Sequence, residues 1–407
     1  MCVVLAFATG VMWQKLWGHE KAAAPPIGPN RRAALDAGPV PRAAPSSRSG
    51  GRTRPRKPKP EPVRLAADFN MISALLVGTH GMVQNSPDVF AQIVKATHRR
   101  VPVVAVIAER AEELLAIEAL EEHGVPTNAV EFMYVDCDTE WIRDYGPVFV
   151  RRSDGSPVIV DLDYSGADTE QDRERDDSFP VLVGKILGID VDPFPLRLEG
   201  GNILSNGDGV CVTSVKVIVH NESRGYSLQA IGDLLSKHCG LNGWSYLAVP
   251  RGEDNGHVDM FMAFLAPNIA VVGKIDPEID EESAAKLDET AELLKQHETV
   301  KGPMRVYRIP MPPPKGETFR SYTNVVFANG VLLVPIYEDV NQKTEDEAIS
   351  LYEELLPEWE IVRIKSDAIA EKRGVLHCVT LGIPYYVRPD RLFGWYAGLA
   401  DEELRDK

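Results

Sequence analysis

Five short polar signatures lie along this chain, and each holds a side chain able to do chemistry. They are Trp141-Ile142-Arg143-Asp144-Tyr145-Gly146-Pro147, Glu199-Gly200-Gly201-Asn202, Gly256-His257-Val258-Asp259, Ser321-Tyr322-Thr323-Asn324 and His377-Cys378-Val379-Thr380. Together they supply a thiol, an imidazole and several carboxylates. That set suits hydrolysis of a guanidinium group, whose planar cation needs fixed anions to hold it and a soft nucleophile to attack its central carbon. Asp144 and Asp259 fit the holding role, because a carboxylate matches two parallel guanidinium N–H donors. Cys378 is the candidate nucleophile. A free thiol has a pKa of ~8.5, so it needs activation by the bound cation, by a nearby imidazolium, or by both. His257 is the candidate proton carrier, first to the departing ammonia and then from the incoming water. No metal or cofactor is called for.

Asn324 and Glu199 are read as orienting the reacting groups or the substrate, and Trp141 as an apolar wall along the substrate's methylene stem. His377 adjoins Cys378 and in an extended segment points to the opposite face, which assigns it a supporting role. Taken singly, a buried Cys is an inert core residue, a His a hydrogen bonder, and a polar loop ordinary turn chemistry. Five such loops at similar intervals outweigh that reading: Asp144, Glu199, His257, Asn324 and Cys378 follow one another at 55, 58, 67 and 54 residues. An interval this regular predicts successive copies of one supersecondary unit, each offering a polar loop to a common centre.

The elements that must position these loops alternate along the body. Strands are expected at 74–78, 101–107, 158–162, 210–219, 269–273, 331–335 and 360–364, and helices at 87–97, 108–122, 179–187, 227–238, 281–296 and 345–355. Such alternation argues for one α/β domain over residues 64–407. The 407-residue chain is 44 % apolar, enough for a substantial core. Its charge is uneven: residues 1–64 carry 12 Lys and Arg against 3 acids, so the remainder carries −25 of the net −16. An acidic body disfavours nucleic acid and favours cationic partners. Five cysteines, at 2, 137, 211, 239 and 378, are too scattered for a disulfide framework or a paired zinc site.

Residues 1–21 hold an uncharged run, Cys2 to Trp13, shorter than a membrane span and read as an export or anchor segment. Residues 22–63 hold ten prolines and the basic run Arg52 to Pro60, read as a disordered linker that also offers a membrane tether. The expectation is an exported, periplasmic or membrane-tethered protein.

With these motifs, Asp68 to Pro384 resembles the agmatine deiminase and bacterial (porphyromonas-type) peptidylarginine deiminase family of the guanidine-modifying (pentein) superfamily. The resemblance implies a five-fold pseudosymmetric α/β propeller with repeat units around one active site, and it assigns Asp144 and Asp259 to the guanidinium. The chain departs from the agmatine-specific pattern after Cys378, where it reads Val-Thr-Leu-Gly-Ile-Pro, and after the first motif, where it has Tyr164-Ser165-Gly166. Arg173 and Arg175 are similar to the Arg-Pro-Arg segment that grips a substrate carboxylate in bacterial peptidylarginine deiminases. The expected reaction is deimination of peptidyl or free arginine to citrulline, with agmatine hydrolysis to N-carbamoylputrescine as the alternative. A cysteine protease has no use for Asp144 and Asp259 aimed at a planar cation, and a non-catalytic surface binding protein is the remaining class.

Overall fold

The computed structural model describes residues 63–164 and 173–395, and these belong to one unit, Lys59–Lys407. The expected leader and linker (1–62), Ser165 and Gly166 lie outside the described residues.

Among the described residues, five sheets repeat one motif: a first strand antiparallel to a second, then a helical crossover to a third strand parallel to the second. In chain order these are Val148–Arg151, Pro157–Asp163 and Asp190–Arg197, with Arg64–Leu65 added at the edge; Leu204–Ser205, Val210–Ser214 and Gly243–Leu247; Met262–Ala266, Ile269–Lys274 and Arg305–Pro310; and Val326–Ala328, Val331–Ile336 and Glu360–Lys365. The fifth sheet joins the two ends of the body. Thr380–Pro384 pairs antiparallel with Ile72–Gly78, which pairs parallel with Val103–Ile107, and Val130–Tyr134 completes it. Parallel strands need a long crossover, which the helices Glu174–Leu187, Leu228–Cys239, Glu281–Leu294, Gln342–Leu355 and Pro87–Thr97 supply.

Helix starts follow local chemistry. The side chains of Ser227, Asp280 and Asn341 accept from the amides of Ala230, Ser283 and Lys343, closing otherwise orphaned donors. Two expectations change. Val210 to Val219 is not one strand: it stops at Ser214, whose hydroxyl accepts from Lys216 N and starts the helix Val215–Ser223. A β-branched run reads as strand, but the cap lets the chain turn. The helix expected from Phe179 begins instead at Glu174, because Asp138, distant in sequence, accepts from the amides of Arg175 and Asp176 at 3.0 and 3.4 Å. The strand Asp190–Arg197, with Pro193 and Pro195, sits at a sheet edge where a missing N–H is tolerated.

Each polar signature immediately precedes the first strand of one sheet, so the repeat places five loops at equivalent points. Neighbouring loops touch all the way round. Gly201 N donates to Asp144 Oδ1 at 3.2 Å, His257 Nε2 meets Glu199 Oε2 at 2.5 Å, and Thr323 Oγ1 donates to Asp259 O at 3.3 Å. Asn324 Nδ2 reaches Cys378 Sγ at 3.4 Å, and Arg143 N donates to Cys378 O at 3.1 Å, which closes the ring. The apolar core lies behind this ring and includes Val258, Met260, Phe261, Val375 and Leu376, all buried. No described helix is long and apolar enough to cross a membrane.

Candidate active site

The ring closes on two glycines that allow no side chain. A Cβ on Gly201 would lie 2.6 Å from Asp144 Oδ1, 2.8 Å from His257 Nδ1 and 3.2 Å from Asp259 Oδ2, and one on Gly200 would lie 1.9 Å from the Arg143 carbonyl oxygen. The Glu-Gly-Gly-Asn signature is therefore a close-approach motif: bare backbone lets three ionisable side chains from two other loops converge on one point. Asp144, Asp259, His257, Asn324 and Cys378 are all buried. Sequence reasoning named those residues and Glu199, and the structure brings all six together.

Their electrostatics are strongly coupled. Burial pushes Asp144 up to about 7, with Glu199 and Asp259 adding to the rise while His257 opposes it. Burial works against the His257 imidazolium, yet Asp144, Glu199 and Asp259 outweigh it, so the ring is held protonated well above its usual range. For this buried pair the favoured state is a charged imidazole beside a partly protonated Asp144. Burial also lifts the Cys378 thiol well above its ordinary value, helped by the negative charge of Asp259 and Asp144, with Asn324 partly offsetting it. The resting cleft thus has too little positive charge for its acids, and a cation entering it relieves that imbalance. Asp259 Oδ1 is buried and has no hydrogen-bond partner among the described residues. An unsatisfied buried carboxylate oxygen costs ~1–3 kcal/mol or more, a cost that a ligand N–H removes.

Asn324 fixes the nucleophile. Its own amide N–H is tied to Ser321 Oγ at 3.0 Å, its Oδ1 accepts from His377 N at 2.8 Å, and its Nδ2 faces the sulfur. Trp141 is half-buried against the Cys378 loop: a Cβ on Gly374 would lie 2.2 Å from its Cζ3, so the indole lies directly on that backbone. His377 is buried and reaches Asp259 through its ring, at Nδ1 to Oδ2 2.7 Å.

Arg143 does not neutralise Asp144. It pairs instead with Asp68, Nη1 to Oδ1 3.0 Å. Asp68, Arg143, Gly201 and Glu253 were not singled out as site residues. Glu253 is buried beside His257, accepts from Gly256 N at 2.5 Å and is pushed up to about 7 by burial. Its position four residues before His257 was the one available signal, while Asp68 sits far ahead of the first motif with none. The expected clamp of Arg173 and Arg175 separates into two cases. Arg175 is held by Asp136 at 2.9 Å and Asp138 at 3.8 Å, with its side chain 58 % exposed, so it is a surface ion pair and not part of the cluster. Charged loops make their own pairs when acids stand opposite. Arg173 is half-buried, and its charge is felt at Tyr164, as are those of Asp144 and Glu199.

Residues 77–384 match the model of the Porphyromonas-type peptidyl-arginine deiminase family. The agmatine deiminase of Stutzerimonas stutzeri (strain A1501) is 27 % identical over 328 residues, 72 % of this chain and 85 % of that one. Among the solved structures that share the fold are two agmatine deiminases. The C. jejuni agmatine deiminase with substrate bound, a Cys-to-Ser variant, has a TM-score of 0.69 at 20 % identity, covering 80 % of this chain and 97 % of that one. The agmatine deiminase of Enterococcus faecalis has a TM-score of 0.67 at 18 % identity, covering 80 % and 96 %.

Proposed function

Because the chain belongs to the Porphyromonas-type peptidyl-arginine deiminase family, we propose that this cleft hydrolyses a guanidinium group to a ureido group and ammonia. The observation that carries the reading is the point above Gly201, where Asp144, His257 and Asp259 converge within 3.2 Å, with the Cys378 sulfur held by Asn324.

Asp144 and Asp259 accept paired N–H donors from the cation and hold its plane. Burial and the two carboxylates keep the Cys378 thiol protonated; the arriving charge offsets the carboxylates, so the thiol releases its proton to solvent and the thiolate forms when substrate is seated. Sulfur adds to the central carbon, and the C=N electron pair moves onto nitrogen. Protonated His257 gives its proton to the departing nitrogen, the C–N bond breaks and ammonia leaves, with an amidino group on sulfur. Neutral His257 then takes a proton from water, the oxygen adds to the same carbon, and the S–C bond breaks as the hydroxyl proton passes to the leaving sulfur, which returns the thiol and frees the ureido group. One water is consumed and one ammonia released.

For the far end of the substrate, the first reading is an arginine, free or in a peptide, converted to citrulline. Support comes from the departures around Tyr164 and Cys378 and from the half-buried Arg173, whose charge is felt at Tyr164 along with those of Asp144 and Glu199. A second reading, agmatine converted to N-carbamoylputrescine, is favoured by the pairing of Arg175 with Asp136 and Asp138 and by the agmatine deiminase relatives. Parallel measurement of ammonia release from agmatine, free arginine and a peptide ending in arginine tests both, and strong selectivity for agmatine overturns the first. Release from none of them, together with cleavage of a peptide bond, overturns deimination itself. The apolar run from Cys2 and the basic, proline-rich stretch after it support export or a membrane tether; recovery of the native protein in the cytosol would refute that.

A further inference from the structure

Behind the cleft runs a partly buried chain of alternating charge, of which the reaction steps use only Asp259. Arg143 pairs with Asp68 at 3.0 Å, Asp68 Oδ1 lies 3.3 Å from His377 Nε2, and His377 Nδ1 lies 2.7 Å from Asp259 Oδ2. Arg143 is anchored in turn by its Nε donating to Thr380 O at 3.2 Å. Each group stands beside its opposite, and the last one, Asp259, lies at the convergence point above Gly201.

Asp259 would otherwise be free to turn about its Cβ–Cγ bond. With Oδ2 taken by His377, only Oδ1 is left without a partner. We infer that His377 is a positioning residue that acts through Asp259: it holds the carboxylate by Oδ2 beside Gly201 and leaves Oδ1 as the acceptor still open to a guanidinium N–H, and Arg143 and Asp68 fix the ring of His377. The inference rests on the deiminase reading.

His377 is held twice, by independent means. Its backbone N–H donates to Asn324 Oδ1 at 2.8 Å, and the same Asn324 presents Nδ2 to Cys378 Sγ. Removing the ring therefore leaves the loop and the nucleophile in place while freeing Asp259. Behind the ring, Asp68 has 27 % of its side chain exposed and lines a second cavity with Leu65, Met71, Phe149 and Pro384. The chain therefore runs from a partly exposed Asp68 to a buried Asp259. Asp68 stays ionised because, although burial opposes it, Arg143 and His377 hold it well below the usual carboxylate range.

Two alkylating probes separate positioning from general damage. 2-Chloroacetamidine is a cation that needs the carboxylates, and iodoacetamide is neutral and needs only the sulfur. In the full chain, His377→Ala should lower the ratio of the two Cys378 inactivation rates about 10-fold, by loss of one charge-assisted hydrogen bond, with the iodoacetamide rate close to wild type. His377→Asn keeps a donor near the Nδ1 position and should recover most of the ratio. Should His377→Ala fail to fold by circular dichroism, Asp68→Asn reads the same point through a smaller fall. An unchanged ratio in the folded variant, or equal losses in His377→Ala and His377→Asn, overturns the inference. Wild-type protein alkylated by both probes yet releasing no ammonia from any guanidine would sink the functional reading alone, and the ratio would still decide this one.

Discussion

Gly201→Ala probes the convergence point directly. The added methyl would start 2.6 Å from Asp144 Oδ1 and 2.8 Å from His257 Nδ1, whereas comfortable contact begins at about 3.4 Å, so the two side chains must retreat by about 0.6–0.8 Å. Both are buried, and His257 is also tied to Glu199, so they cannot swing into solvent. A displacement approaching 1 Å in a catalytic array costs roughly 100-fold in kcat/KM, equivalent to about 2.7 kcal/mol of transition-state stabilisation, while overpacking lowers folding stability by about 1–3 kcal/mol. Gly200→Ala is the comparison. Its methyl meets the Arg143 carbonyl at 1.9 Å, which is backbone and yields only by distorting the loop, so loss of fold should precede loss of chemistry. The assay pairs steady-state ammonia release with thermal melting by circular dichroism for both variants. Wild-type kcat/KM in folded Gly201→Ala would refute the argument that three groups must meet there, as would a melting loss larger in Gly201→Ala than in Gly200→Ala.

Further outcomes follow from the same electrostatics. Cys378→Ala should abolish ammonia release and labelling by a haloacetamidine while leaving the fold intact, and residual turnover at the normal rate would exclude the sulfur as nucleophile. Alkylation of the free enzyme by iodoacetamide should rise about tenfold per pH unit and continue rising past the ordinary thiol range of ~8.5, because burial and two carboxylates raise the Cys378 thiol; an early plateau would contradict this. Asp144 and Glu253, both pushed up to about 7, and His257, also raised, hold protons in the folded chain that the unfolded chain has released. Stability should therefore fall as pH rises from about 4 through about 7 for the two carboxyls, and further above 6.5 for His257, and a saturating guanidinium ligand on Cys378→Ala should flatten that fall in a melting series. Arg175→Ala should leave KM unchanged for every substrate, since its partners are Asp136 and Asp138, whereas Arg173→Ala should raise KM only for substrates bearing a carboxylate.

The residues that do the chemistry were legible in the primary sequence because loops carrying Cys, His, Asp and Asn at near-constant spacing leave a signal that needs no folding to detect. The alternation of apolar strands and amphipathic helices likewise announced an α/β body, and the long crossover helices were located to within a few residues wherever capping was local, as at Ser227 and Asp280. Short first strands such as Leu204–Ser205 and Val326–Ala328 were not legible, since two or three residues carry no periodicity. Nor was the true start of the helix at Glu174, whose cap, Asp138, comes from another part of the chain. Tertiary structure alone decided which charges face each other. It gave Arg143 to Asp68 instead of Asp144, kept Arg175 on the surface, and placed His377 between two carboxylates. Ionic partnership depends on distances of a few ångströms between residues far apart in the chain, and on how much water is left between them; a one-dimensional string records residue types and intervals, but neither of those quantities.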